Sequence, residues 1–72
     1  MERYFLLVYS LGELYGEGHI TTTRGRYLNR KEIIDALKIK DSSLFRVLNI
    51  IEFNSRKDAR EWSRDGEEYS IN

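Results

Sequence analysis

Apolar residues are concentrated in three stretches of the chain, separated by glycine-rich and charged segments, and this pattern predicts three β-strands. The first covers residues 3–10, which are rich in Tyr, Phe, Leu and Val, the residue types typical of strands. The second covers residues 18–24, and the third, residues 44–53, is the most apolar. Three glycines within residues 12–18 indicate a loop or a wide hairpin turn between the first two strands.

Two further segments carry the signals of helix starts. Asn29 followed three residues later by Glu32 is a capping-box pattern, and the apolar spacing after it predicts a helix over residues 30–40. Asn54 or Ser55 caps a second predicted helix over residues 55–65, in which Ser55 and Asp58 form a capping-box pattern. The predicted element order is therefore ββαβα.

This order predicts an α+β fold, in which a three-stranded antiparallel or mixed sheet packs against two helices. We expect a single domain over residues 1–66 that ends at Gly66, a natural helix stop. Residues 67–72 are expected to form a flexible C-terminal tail. The predicted buried set is Phe5, Leu7, Ile33, Leu37, Val47, Ile51 and Trp62.

The first and third strands are apolar on both faces. Either the two helices split between the faces of the sheet, or a second copy of the chain covers what they leave exposed. A chain of 72 residues buries only about 60% of its unfolded surface, and small domains usually need disulfides, a metal or oligomerisation. Because the chain has no cysteine and one histidine, we expect a homo-oligomer. A dimer through one sheet face or an edge of the long strand is favoured.

Charge and composition narrow the function classes. The net charge is zero, which argues against bulk nucleic-acid binding. Residues 24–46 nevertheless contain seven basic and three acidic residues, so a local basic patch is possible. The first apolar run is too short for a membrane span and lacks the features of a signal peptide. With no cysteine, these features predict a cytoplasmic protein.

The strongest candidate site is the basic segment at residues 24–31, which leads into the first helix. Positive charge at a helix start, together with free backbone N–H groups, favours an anion. The candidate ligand-binding residues there are Arg24, Gly25, Arg26, Tyr27 and Arg30. Tyr27 can stack on a base, and so can Tyr15 in the glycine-rich segment. The alternative is a solvated basic turn with no ligand.

No catalytic or metal-binding pattern is present. His19 is the single histidine, and a lone histidine in a strand is more often a surface or packing residue than a catalytic one. The acidic pairs Asp58 with Glu61 and Glu67 with Glu68 lie among basic residues or in the predicted tail, unlike a buried acid–base pair. We therefore expect neither an enzyme nor a cofactor or metal.

In size and character the chain resembles small phage-encoded anti-defence proteins, which are short, cysteine-free α+β units. The resemblance covers the whole chain but rests on no motif, and it transfers no functional residue. It implies either a sponge that sequesters a nucleotide signal between subunits, or an inhibitor that blocks a protein by surface contact. We therefore carry two hypotheses: capture of an anionic small molecule such as a cyclic nucleotide, and docking of a partner protein through the apolar sheet face.

Overall fold

Four strands form one mixed sheet in the order β3-β1-β2-β4, and a helix packs on each of its faces. The computed structural model describes residues 1–25 and 27–72. Strand β1 pairs antiparallel with β2 and β3, whereas β2 and β4 run parallel. The elements are β1 (Arg3–Leu11), β2 (Leu14–Thr22), α1 (Arg30–Leu37), a 3-10 turn (Ser42–Leu44), β3 (Phe45–Phe53), α2 (Arg56–Trp62) and β4 (Glu67–Ile71).

The α+β class with two helices is confirmed, and the number of strands is corrected. Residues 67–71, expected in a loose tail, form the fourth strand beside β2. Gly66 makes this possible because its φ is +95°, and a Cβ atom there would lie 2.4 Å from the carbonyl oxygen of Glu17. Gly66 therefore allows the chain to pass close to β2 as it enters the sheet. It was expected to end α2, but the helix ends four residues earlier, at Trp62.

The β1–β2 connection is tighter than the sequence predicts. Strand β2 begins at Leu14 instead of residue 18, so the loop shrinks to a two-residue turn in which Gly12 has φ +64°. Gly16 and Gly18 lie within β2, opposite Tyr9 and Leu7 of β1. Two glycines of the predicted loop are thus strand residues.

Helix α1 and its capping box are confirmed. The Asn29 side chain accepts a hydrogen bond from the Glu32 backbone N–H at 2.8 Å, and the Glu32 side chain accepts from Asn29. The helix ends at Leu37, three residues earlier than predicted, because Lys38 adopts a left-handed conformation. Ser55 caps α2 through the Asp58 N–H, and α2 is also shorter than predicted.

The helices split between the two faces of the sheet. On the α1 face, Ile33 packs with apolar residues from all four strands into the main core, formed by Phe5, Leu7, Ile20, Ile33, Phe45 and Ile71. The opposite face is called the α2 face. Because side chains alternate along a strand, Leu6 and Val8 of β1 lie on it. Leu6 of β1 and Ala59 of α2 are both buried on this face. The rings of Phe53 and Trp62 also meet there, with their centroids 6.2 Å apart.

A β-bulge in β3 changes which residues share a face. Val8 is opposite Asn49 and Tyr9 is opposite Val47, so Leu48 is the extra residue. Phe45 and Val47 therefore lie on the α1 face, while Ile51, opposite Leu6, lies on the α2 face. These three residues, which a regular strand would place on one face, are thus divided between the two faces of the sheet.

The predicted buried set is correct in part. Phe5, Leu7 and Ile33 are buried, and Leu37 and Ile51 are half-buried. Val47 is exposed because β3 is an edge strand. Trp62 is also exposed, at 69%, because it is the last residue of a seven-residue helix and touches the sheet only beside Phe53. No helix in the described part of the chain is long and apolar enough to cross a membrane.

Candidate functional site

Arg24 and Arg30 of the basic segment are bound within the chain. Arg24 forms an ion pair with Glu32 and donates to the backbone oxygen of Asn72 at 2.7 Å. Arg30 donates to the carbonyl oxygens of Ser42 at 2.6 Å and Phe45 at 3.1 Å. These contacts tie α1 to β3 and β4, so both side chains have structural roles.

Among the described residues of this candidate site, Gly25, Tyr27 and Tyr15 are not gathered around one ligand pocket. Tyr27 is exposed, and the space around Gly25 is open. Arg26 lies outside the described residues. Tyr15 lies at the opposite end of β2 from the basic segment, and seven strand residues span roughly 23 Å. One subunit therefore does not bring Tyr15 together with Arg24 or Arg30.

A different cleft lies at the Tyr15 end of the sheet, on the α2 face. Ser10 of β1 is opposite both Tyr15 of β2 and Arg46 of β3. Ser10 is buried, and the two larger side chains rise on either side of it, with Cα atoms roughly 10 Å apart across three strands. Leu44 and Leu48 complete one wall, and the cleft has a volume of about 340 Å³.

The cleft exists because α2 covers only part of the α2 face. Ser63, just after α2, donates to Glu17, and beyond that point the row of Tyr15, Ser10 and Arg46 has no helix above it. Tyr15 is 81% exposed. Within the described residues, the Arg46 guanidinium has no hydrogen bond or ion pair to the protein, unlike Arg24 and Arg30.

Arg46 was not predicted as a site residue. By sequence it belongs both to residues 24–46, which are rich in basic side chains, and to the apolar strand predicted over residues 44–53. The available signal was its position, because it is the one basic residue within residues 44–53. A charged residue in an apolar strand indicates a position that faces solvent or a ligand.

His19 has a structural role. It is buried, and its Nε2 lies 3.0 Å from the carbonyl oxygen of Asp65. Because a carbonyl only accepts, Nε2 carries the proton and donates. The hydrogen bond holds the segment between α2 and β4 against the sheet, while the buried Nδ1 has no partner among the described residues.

The acidic residues form ion pairs or lie apart. Glu68 accepts from Arg56 at 3.2 Å and from Arg60 at 3.3 Å, which ties α2 to β4. The Arg3 guanidinium donates to Glu52 and holds the pKa of that carboxyl below its usual value. In the described part of the chain, no three His, Cys, Asp or Glu side chains are placed to hold a metal ion.

Comparison with protein-family models, curated proteins and solved structures finds no match to this chain. The function is therefore inferred from the geometry of the cleft.

Proposed function

We propose that this protein is a non-enzymatic binding module that holds a small anionic molecule with a planar ring, such as a nucleotide, in the Tyr15–Arg46 cleft. The observation that supports this is the arrangement of Tyr15 and Arg46 on either side of Ser10, with no hydrogen bond or ion pair from the Arg46 guanidinium to the residues that the structure describes. An arginine fork binds phosphate by bidentate charge-assisted hydrogen bonds. An exposed tyrosine ring stacks on a base.

The proposed ligand class is the one expected from the sequence, but the arginine that binds the phosphate is a different one. Arg46 replaces Arg24 and Arg30, whose guanidinium groups would have to leave Glu32 and two carbonyl oxygens to bind phosphate. Removing a buried or half-buried donor from its acceptor leaves that acceptor unsatisfied, at a cost of about 1–3 kcal/mol. Arg46 has no such contact with residues 1–25 or 27–72 to break.

The experiment is a thermal-shift screen of the purified chain against cyclic and linear nucleotides. A ligand at 100 times its dissociation constant stabilises the folded state by about 2.7 kcal/mol. We expect the shift to disappear in Arg46→Ala and in Tyr15→Ala. Arg64→Ala is the matched control, because Arg64 is exposed and lies outside the cleft.

Two results would contradict this proposal. If no nucleotide changes the melting temperature, a nucleotide-binding function is wrong. If Arg46→Ala keeps the full shift while the double variant Arg24→Ala with Arg26→Ala loses it, the site lies in the basic segment and not in the cleft.

A second candidate function is docking of a partner protein. It is favoured by four exposed apolar residues on or beside one edge strand, namely Leu44, Val47, Leu48 and Ile50. Exposed apolar residues in one patch are typical of protein interfaces. If Leu48→Lys abolishes binding of a copurifying protein and no nucleotide shifts the melt, this second function is supported.

A further inference from the structure

Strand β3 presents a long open edge. Its nine residues pair with β1 on one side, and within the described residues no strand covers the other. The other edge strand, β4, has five residues and begins with Glu67 and Glu68, which is typical of an edge protected from pairing. Strand β3 is instead apolar and exposed, as an edge that pairs with another chain would be.

We propose that two copies of this chain pair antiparallel along β3, about a two-fold axis that passes through the bulge at Leu48 and Asn49. The resulting dimer has one continuous eight-stranded sheet. In this register Val47 lies opposite Ile50 of the second copy, and Arg46 lies opposite Ile51 of the second copy. Strand β3 is complementary to itself in this register, which favours a second copy of the chain as its partner.

The complementarity comes from the bulge. Residues directly opposite each other on antiparallel strands share a face. The strand pairing places Val47 and Ile50 on the α1 face, opposite Tyr9 and Leu7. It places Arg46 and Ile51 on the α2 face, opposite Ser10 and Leu6. A register centred on Leu48–Asn49 therefore matches faces on both sides, whereas a shift of one residue would oppose an α1-face residue to an α2-face residue.

The backbone at the bulge fits the same pairing. The Ile50 N–H donates to the Asn49 side-chain oxygen at 2.9 Å. In the dimer this N–H turns to the carbonyl oxygen of Val47 in the second copy, and the Asn49 amide is released to the axis. In the dimer all four exposed apolar residues of this edge lie at the interface or beside it: Leu44, Val47, Leu48 and Ile50.

The dimer also brings Trp62 to the proposed ligand cleft. By this register Phe53 of the second copy lies opposite Leu44, and Trp62 packs on Phe53. Trp62 of the second copy therefore lies beside Leu44 and Arg46, which line the cleft. Its indole can lie over the Arg46 guanidinium and stack on the ligand ring opposite Tyr15. This step rests on the proposed function, whereas the dimer itself does not.

Light scattering at micromolar concentration tests the dimer. We expect the wild-type chain at twice its 8.6 kDa mass and Leu48→Lys at the monomer mass. Leu14→Lys is the matched control, because Leu14 is 73% exposed and separated from β3 by β1; it should stay dimeric. A wild-type monomer overturns the proposal, and so does a dimer that Leu48→Lys leaves intact or that Leu14→Lys also dissociates.

Disulfide formation tests the register, since the chain has no native cysteine. Directly opposite residues have Cα atoms roughly 4.5–5.5 Å apart, within the range for a disulfide. The double variant Val47→Cys with Ile50→Cys should form a covalent dimer on oxidation. Val47→Cys with Ile51→Cys, which matches a register centred on Asn49, should not. The opposite outcome overturns the register and keeps the dimer.

The contribution of Trp62 to ligand binding can be tested separately from the dimer and its register. Trp62→Ala should remain dimeric and bind the nucleotide found in the screen roughly tenfold more weakly, as expected for loss of one stacking ring. Unchanged affinity in Trp62→Ala overturns the shared site. If wild-type protein dimerises but binds no nucleotide, the proposed ligand function fails and the dimer stands.

Discussion

The ring of Tyr9 occupies the space in which a side chain at Gly16 would lie, because a Cβ atom at residue 16 would be 2.5 Å from Tyr9 Cζ. The two residues are directly opposite on β1 and β2. Tyr9 then packs its ring 5.6 Å from that of Phe45. Gly16 therefore allows an aromatic residue of β1 to lie flat over β2 at the edge of the core.

Gly16→Ala should destabilise the fold by about 1–3 kcal/mol, the usual cost of forcing extra atoms into a packed site. Chemical denaturation measures this as a lower midpoint. Gly25→Ala is the control, since nothing lies within 4 Å of its Cβ position, and it should change stability by less than about 0.5 kcal/mol. Equal effects of the two substitutions would contradict the packing argument.

The same contact explains why the sequence predicts a loop over residues 12–18. Glycine is a turn signal, and the pattern of residues cannot show that Gly16 faces Tyr9 and Gly18 faces Tyr69. Those tyrosines are seven and 51 positions away in the chain. Local signals located the capping box of α1 because its partners are three residues apart.

The fourth strand was missed for a related reason. The segment Glu67–Ile71 begins with two acids and has a serine before its last residue, which is typical of a tail. Its place in the sheet depends on pairing with β2, about 50 positions earlier. The candidate cleft could not be predicted from the sequence either, because only the order of the strands brings Tyr15, Ser10 and Arg46 together.

Ile71→Ala distinguishes a core strand from a loose tail. Ile71 is buried in the main core, so the substitution should cost about 2–5 kcal/mol of unfolding free energy. Ser70 is the exposed neighbour on the same strand, and Ser70→Ala should have little effect. A fold that loses no stability on Ile71→Ala would show that residues 67–71 do not pack as β4.

Arg30→Met tests whether Arg30 is a structural residue or a ligand residue. Methionine keeps most of the apolar stem but removes the donors to the carbonyl oxygens of Ser42 and Phe45. We expect a loss of about 1–3 kcal/mol in unfolding free energy. Lys31→Met, at the next and exposed helix position, should stay within about 0.5 kcal/mol of wild type. If Arg30→Met is equally neutral, the contacts of Arg30 do not stabilise the fold.

The ion pair between Arg3 and Glu52 predicts a dependence of stability on pH. The hydrogen bond from Arg3 is the main cause that lowers the pKa of Glu52 below its ordinary value of 4.5. A carboxyl with a lowered pKa binds fewer protons in the folded state than in the unfolded state, so it stabilises the fold above the unfolded pKa. That contribution is lost as the pH falls through the lowered, folded pKa.

Thermal melts of wild type and Glu52→Gln should therefore differ at neutral pH, with the wild type more stable. The difference should begin to shrink near the unfolded carboxyl pKa of about 4 and disappear below the lowered pKa of the folded state. Glu61→Gln is the control, because Glu61 is exposed on α2 and forms no ion pair among the described residues. Added salt should reduce the neutral-pH difference, since both partners are reached by solvent. A difference that persists unchanged in acid would mean that the carboxylate of Glu52 does not stabilise the fold through its charge.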